Sequence, residues 1–157
     1  MTAAELMAKL QADSEYQRRA KEKERALQER QEVDGQTFAP CLEKLHRFRF
    51  AGESVEAIVK TYSPLPEAAV SVLLSFLPTL TDPRHIESVV RALGASAKPF
   101  DGQPLARCFE STDNEALKWA IANTIALARP HSIDDWLFEL CKSPRWHKTL
   151  QELGLEP

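Results

Sequence analysis

The chain has 157 residues, which is enough for one domain with a buried core. Hydrophobic residues make up 43% and charged residues 27%, a composition typical of a folded domain and not of a disordered chain. The formal net charge of −3 provides no overall attraction for nucleic-acid backbones or anionic membranes. A role with either would therefore need a local basic patch.

Targeting signals and cysteines indicate the compartment. No apolar run approaches the roughly 20 residues of a membrane span, and the first residues lack the apolar centre of a signal peptide. The chain has an odd number of cysteines, and the three of them, Cys41, Cys108 and Cys141, lie far apart on apolar helix faces. We expect buried thiols and not a disulfide framework, and hence a cytoplasmic protein without membrane contact.

Residues 1–34 are predicted to form a charged helical arm. Thr2 and Glu5 have the spacing of a capping box, and Gly35 is the predicted end of the arm helix. Residues 14–34 carry few apolar side chains among many charged ones, which is typical of a mostly solvated helix. The arm either packs along the domain through one thin apolar stripe or projects to bind a partner.

The rest of the chain, residues 35–157, repeats an apolar pattern at an interval of 31 residues. Three predicted helices carry apolar side chains at i, i+3, i+4 and i+7, starting at Val55, Ile86 and Leu117. The complete ladders are Val55, Ile58, Val59 and Tyr62; Ile86, Val89, Val90 and Leu93; and Leu117, Ala120, Ile121 and Thr124. Because one such helix cannot bury its apolar face alone, we predict an all-α fold, a short α-solenoid of stacked helix pairs.

The helices of each predicted pair follow from the same pattern. The second helices are expected to begin near Ser54, Asp82 and Asp113. Ser111 and Thr112 are expected to form the turn that precedes the third of these helices. The first helices are predicted near 38–48, 65–77, 104–110 and 133–141, with Ser132 as the cap of the last of these. The first of them should use Phe38, Leu42, Leu45 and Phe48 as its apolar face. A short helix containing Trp146, Leu150 and Leu153 should close the open end of an incomplete fourth pair.

The helix pairs resemble HEAT repeats. The residues that carry the resemblance are Asp82-Pro83-Arg84 and Asp113-Asn114-Glu115 at two helix starts and Arg91-Ala92-Leu93-Gly94 at a helix end. The period is shorter than in eukaryotic HEAT units and is similar to the compact bacterial repeats of bilin-lyase-like HEAT proteins. The resemblance covers about residues 38–142 and implies that the second helices line a concave groove. It points to an architecture more than to a function.

The predicted second helices carry a candidate partner-binding surface roughly opposite their apolar ladders. Its members are Arg84, Ser88, Arg91, Glu115, Lys118, Trp119 and Ala122. A large aromatic side chain near small residues and arginines is the usual composition of a binding hot spot. The alternative is that Trp119 packs against a neighbouring helix or under the arm.

Motifs for catalysis and for metal binding are absent from the sequence. We find no nucleophile elbow, phosphate-binding glycine loop or zinc motif, and His131, Cys141 and His147 match no common ligand spacing. Asp134 and Asp135 are predicted to stabilise a helix start and not to act as an acid/base pair. We therefore expect no enzymatic activity, no metal and no cofactor.

Two classes of function remain. The first is a non-catalytic scaffold that binds a partner protein or peptide in the groove while remaining a monomer. The second is a HEAT-like DNA-binding protein or alkyl-base DNA glycosylase, because some bacterial HEAT-like proteins are glycosylases that use groove tryptophans with an aspartate. The acidic total charge and the lack of a continuous basic stripe favour the scaffold. A cofactor-handling lyase is disfavoured, because none of the cysteines is predicted to be exposed.

Overall fold

A computed structural model describes residues 1–155, with side chains for all of them except residues 10–12. Within the described residues the secondary structure is helical, and β-structure is limited to two isolated bridges. This confirms the predicted all-α class. Of the helices described, none combines the length and the apolar character that a bilayer span requires. Residues 156–157, the end of the predicted solenoid, lie outside the described part.

The helices of the described chain are α1 (Ala3–Ala12), α2 (Ser14–Arg47), α3 (Val55–Tyr62), α4 (Glu67–Phe76), α5 (Pro83–Leu93), α6 (Gln103–Ser111), α7 (Glu115–Ala128), α8 (Asp134–Cys141) and α9 (Pro144–Glu152). A 3₁₀ turn, Leu77–Thr79, follows α4. The chain divides into two compact units, Met1–Phe38 and Ala39–Pro157.

The first unit contains α1 and most of α2. The predicted capping box is confirmed: the Thr2 hydroxyl accepts a hydrogen bond from Glu5 N, and Glu5 Oε2 accepts one from Thr2 N at 2.8 Å. Gly35 does not end the helix, because α2 continues through Gly35 and Pro40 to Arg47. Glycine can adopt helical dihedrals at a cost of about 1 kcal/mol, which good helix formers on both sides can offset. From residue 14 to 33 the side chains are exposed, except that of Gln17, as a solvated helix requires.

The buried face at the end of α2 differs from the predicted one. Cys41 and Leu45, one turn apart, are fully buried, whereas Phe48 is exposed and Leu42 is only partly buried. The predicted set of Phe38, Leu42, Leu45 and Phe48 was therefore only partly right. A cysteine behaves as a small hydrophobic side chain, which explains why Cys41 takes the central core position on this helix.

Side-chain caps determine where α3, α5 and α7 begin. Ser54 Oγ accepts from Ala57 N at 3.1 Å, and Asp82 Oδ1 accepts from Arg84 N at 2.9 Å. The predicted starts near Ser54 and Asp82 are confirmed. The third cap is Asn114 and not Asp113, since Asn114 Oδ1 accepts from Leu117 N at 3.0 Å.

The three apolar ladders supply one part of the core of the second unit. Nine of their members are buried, namely Val55, Ile58, Val89, Val90, Leu93, Leu117, Ala120, Ile121 and Thr124. The remaining members, Val59, Tyr62 and Ile86, are partly exposed. The helix α4 also buries Ala69, Val70, Val72 and Leu73 and contacts α5, so another part of the core lies between these two helices.

Backbone bridges connect equivalent loops of successive helix pairs. In the first bridge, Leu65 in the loop before α4 pairs in parallel with Ser96 in the loop before α6. In the second bridge, Asp101 in the loop before α6 pairs in parallel with His131 in the loop before α8. The first bridge includes Ala97 N donating to Leu65 O at 2.9 Å, and the second includes Gly102 N donating to His131 O at 2.9 Å. The pairs α4–α5, α6–α7 and α8–α9 are thus linked at corresponding positions.

The second helices of neighbouring pairs run side by side in the same direction. Between α5 and α7, the buried Thr124 hydroxyl donates to Val90 O at 3.0 Å. Between α7 and α9, Arg145 near the start of α9 pairs with Glu115 at the start of α7 at 2.8 Å. At the other end, Arg129 after α7 donates to Gly154 O after α9 at 2.9 Å. The fourth pair therefore includes a second helix, α9, which is joined to α7 by contacts near both ends.

The start of α8 also differs from the prediction. Ile133, and not Ser132, occupies the N-cap position, and it makes no side-chain capping bond. Ser132 has a positive φ of 68°, and its hydroxyl lies 2.8 Å from Nδ1 of His131. The second bridge holds the backbone at His131, so Ser132 belongs to the loop.

Candidate functional site

The side of α7 that faces α9 contains Ala122, one of the predicted binding residues. Glu115, Ala122 and Arg129 are seven residues apart, or about two helical turns, so they share one side of α7. Both Glu115 and Arg129 contact the α9 region, and Ala122 between them is only 2% exposed. Ala122 is therefore removed from the candidate surface, because it is buried and the spacing within α7 did not show this.

Trp119 lies at the edge of that side and is 48% exposed. Leu127, about two turns further along α7, is 66% exposed, and Asn123 lies between them. Sequence reasoning missed Leu127, although its place outside the apolar ladder was a usable signal. We call Trp119, Asn123 and Leu127 the α7 strip.

The α5 residues of the predicted surface are all exposed. Arg84, Ser88 and Arg91 share one side of α5, as their spacing predicts. Arg84 pairs with Asp82 at 2.9 Å, and Arg91 pairs with Glu87 at 2.7 Å. The hydrogen bonds from Arg84 lower the pKa of Asp82, so this carboxylate remains charged while it caps α5.

A groove separates α3 from α5. Its volume is about 380 Å³, and it is lined by Val55, Glu56, Val59, Ser88, Arg91 and Ala92. Two of the predicted residues, Ser88 and Arg91, thus lie at one groove together with apolar side chains of the preceding pair. The α7 strip is not part of the lining of this groove. Site residues predicted as one surface therefore contribute to two neighbouring features, the groove and the strip.

Lys118 lies elsewhere. Its Nζ is 5.3 Å from the centroid of the Phe109 ring, and its side chain is partly buried in a cavity that Trp136 and Trp146 also line. Lys118 is one residue before Trp119, and this step of about 100° turns it away from the strip. Five of the predicted residues are exposed, namely Arg84, Ser88, Arg91, Glu115 and Trp119, and of these Ser88 and Arg91 line the groove while Trp119 belongs to the α7 strip.

Several cations on the second helices have acidic neighbours. Besides the two α5 pairs, Arg145 pairs with Glu115 at 2.8 Å, and Lys148 lies 3.7 Å from Glu152. Exposed pairs of this kind contribute only about 0–1 kcal/mol to stability. Their main effect here is to balance the charge, so these helices do not carry a continuous basic stripe.

Cysteine environments differ partly from the prediction. All three cysteines are thiols, but only Cys41 is buried, while Cys108 and Cys141 are partly exposed. Burial raises the pKa of the Cys41 thiol to about 11, and it also raises that of Cys108. Both thiols are thus protonated at neutral pH, a state in which a thiol is a weak nucleophile. Among the residues described, no three His, Cys, Asp or Glu side chains are grouped to hold a metal ion.

Comparisons with protein-family models, with curated proteins and with solved structures gave no match for this chain.

Proposed function

We propose that this protein is a HEAT-like α-solenoid scaffold that binds a segment of a partner protein on its second helices. The linked loops of successive pairs and the shared direction of α5, α7 and α9 support the solenoid interpretation. Helices stacked in this way create extended surfaces that suit protein recognition. The proposed binding surface consists of the groove between α3 and α5 and the α7 strip.

The observation that carries this proposal is the exposure of Trp119 together with Leu127 on a helix most of whose other side chains are buried or partly buried. A rigid helix positions both side chains before binding, so little conformational entropy is lost when a partner is bound. Tryptophan is among the residues most enriched in binding hot spots. Paired charges on α5 and α9 add exposed polar groups of the kind that form the rim of an interface.

The pairing of positive and negative side chains on the second helices also indicates the chemistry of the partner. A surface that follows a phosphate backbone needs several cations free of acidic neighbours, because each contact replaces a condensed counterion. Here Arg84, Arg91 and Arg145 each pair with a carboxylate. The surface therefore favours a protein segment with leucine-like or aromatic side chains over DNA.

The experiment uses peptides selected from a random display library on the full-length protein. We expect Trp119→Ala to weaken binding of the selected peptides about 30-fold, which corresponds to about 2 kcal/mol. Its effect on stability should be small, because half of the side chain is already exposed. Ile121→Ala, at a fully buried position on the same helix, should lower the free energy of unfolding by about 2–5 kcal/mol.

A matched control is Phe138→Ala, which removes an aromatic side chain of similar exposure from α8. This variant should bind the peptides as the wild type does. Arg84→Glu and Arg91→Glu should slow association and change its salt dependence, since exposed charges act mainly on the rate of encounter. If Trp119→Ala lowers the melting temperature as much as Ile121→Ala while peptide binding survives, Trp119 is a packing residue and the proposal is wrong.

A further inference from the structure

A cavity of about 390 Å³ opens between α6, α7, α8 and α9, on a different side of α7 from the proposed binding surface. Aromatic and charged side chains from all four helices line it, including Phe109, Glu110, Lys118, Trp136, Glu139 and Trp146. The proposed scaffold function uses none of these residues. This aromatic cavity is therefore separate from the proposed binding surface.

Three aromatic rings form one wall of the cavity. Phe109 packs edge-to-face with Trp136 at a centroid distance of 5.4 Å and with Trp146 at 4.9 Å. Phe109 and Trp146 are buried, so the rings are held by the core, while Trp136 is partly exposed. Trp136 Nε1 also donates to Glu110 Oε1 at 3.0 Å, which fixes the orientation of the indole. The wall is thus preorganised.

The chain itself places a cation at this wall. The Lys118 ammonium lies 5.3 Å from the Phe109 centroid, within the distance at which a ring face attracts a positive charge. Two carboxylates, Glu110 and Glu139, also line the cavity, and Glu139 is paired with Lys142 at 2.6 Å. Aromatic faces with nearby carboxylates are the chemistry that recognises alkylammonium groups.

We propose that the aromatic cavity binds an alkylammonium group, with Lys118 as the internal cation that competes for it. The ligand is either a small free ammonium compound or the methylated lysine side chain of a peptide, since both present the same methylated nitrogen. An incoming ammonium must displace or share the ring face with Lys118. Removal of the Lys118 charge should therefore strengthen binding, the opposite of what loss of a structural residue would do.

The test follows the indole N–H signals of the full-length protein by NMR during titration with choline. The control ligand is 3,3-dimethylbutan-1-ol, which has the same shape as choline but carbon in place of the charged nitrogen. Choline should shift the Trp136 and Trp146 signals, and the neutral alcohol should not. The Trp119 signal, outside the cavity lining, serves as the internal reference.

Two variants test the assigned roles. Lys118→Met, with a similar length and no charge, should lower the Kd for choline about threefold, and Glu110→Gln should raise it about threefold, as expected for one cation–π or charge contact. A tripeptide with central trimethyl-lysine, titrated beside choline, distinguishes the two sources: tighter binding of the peptide indicates a side chain, and equal binding indicates a free compound.

Equal shifts with choline and the neutral alcohol would overturn the proposal, as would an unchanged or higher Kd in Lys118→Met. The NMR spectrum of each variant verifies its fold, and Lys118→Gln provides a second neutral replacement if Lys118→Met is misfolded. Trp119→Ala should leave choline binding unchanged. The cation site and the peptide surface can thus fail independently.

Discussion

Gly102 shows how one close contact restricts the choice of residue at the start of α6. A Cβ at this position would lie 2.9 Å from Cγ2 of Ile133, and Ile133 is only 1% exposed. The backbone N–H of Gly102 is also bonded to His131 O at 2.9 Å, so the loop cannot move away freely. Glycine is needed here for space and not for an unusual φ.

We expect Gly102→Ala to lower the free energy of unfolding by about 1–3 kcal/mol, the usual cost of overpacking. The matched control is Gly35→Ala, because a Cβ at Gly35 would have no atom within 4 Å. Gly35 lies inside α2, where alanine is the better helix former, so this variant should gain about 0.5–1 kcal/mol. Urea denaturation of both variants measures the difference, and equal effects would contradict the close contact with Ile133.

Individual binding residues were harder to predict than core residues. Ile121 and Leu117 could be placed in the core because their spacing repeats along one face. The accessibility of Ala122 and Lys118 depends on the elements packed around α7, and the spacing within α7 contains no information on these neighbours. The exposed surface of a helix is determined by its neighbours as much as by its own pattern.

At the level of the helix, the start of α7 depends on one capping side chain. Ser111, Thr112, Asp113 and Asn114 all have polar side chains that could cap this helix, so the sequence alone identified the turn but not the residue. In the structure, Asn114 takes this role and Asp113 is exposed. The neighbouring acceptors differ by only one position, and local propensity does not distinguish them.

Asn114→Ala should lower the free energy of unfolding by about 1 kcal/mol, because Leu117 N loses its hydrogen-bond acceptor. Asp113→Ala is the control, and its effect should stay within about 0.5 kcal/mol, as for most exposed substitutions. Thermal or urea unfolding of the two variants gives the comparison. A larger loss of stability in Asp113→Ala than in Asn114→Ala would indicate that Asp113 is the cap.

Helix ends were predicted less well than helix faces. The prediction that α2 ends at Gly35 used a rule that describes a preference of about 1 kcal/mol. Such a preference can be outweighed by the helix formers around it, as it is in α2, which also includes Pro40. In contrast, the helix starts at Ser54 and Asp82, each of which has a side-chain capping hydrogen bond, were predicted correctly.

For the whole molecule, the 31-residue interval predicted which parts of the chain are equivalent. The bridges Leu65–Ser96 and Asp101–His131 connect loops that the interval relates to each other. The aromatic cavity was not predicted, because Phe109, Trp136 and Trp146 have no short spacing and meet only when α6, α8 and α9 pack together. Periodicity thus predicts repeated contacts, while a site assembled from several helices requires the tertiary structure.

Deletion of residues 1–34 should leave a protein that unfolds cooperatively, with stability within about 1 kcal/mol of the full chain. The reason is that the side chains of residues 14–33 are nearly all exposed, while the buried Cys41 and Leu45 remain. Deletion of residues 143–157 is the comparison and should destabilise strongly, because it removes the buried Trp146 and Leu150. Urea denaturation followed by circular dichroism measures both. A molten N-terminal deletion would show that the arm is part of the core.

The loop bridges have a consequence for how the helix pairs move. The amides of Leu65, Ala97, Gly102 and His131 lie outside the helices but donate hydrogen bonds to another loop. Their exchange with deuterium requires two neighbouring pairs to separate, whereas exchange within a helix requires that helix to unwind. These four amides therefore report on hinge opening between pairs. A partner bound across α5 and α7 would slow exchange at Leu65 and Ala97, whose bridge joins the pairs α4–α5 and α6–α7, without contacting them.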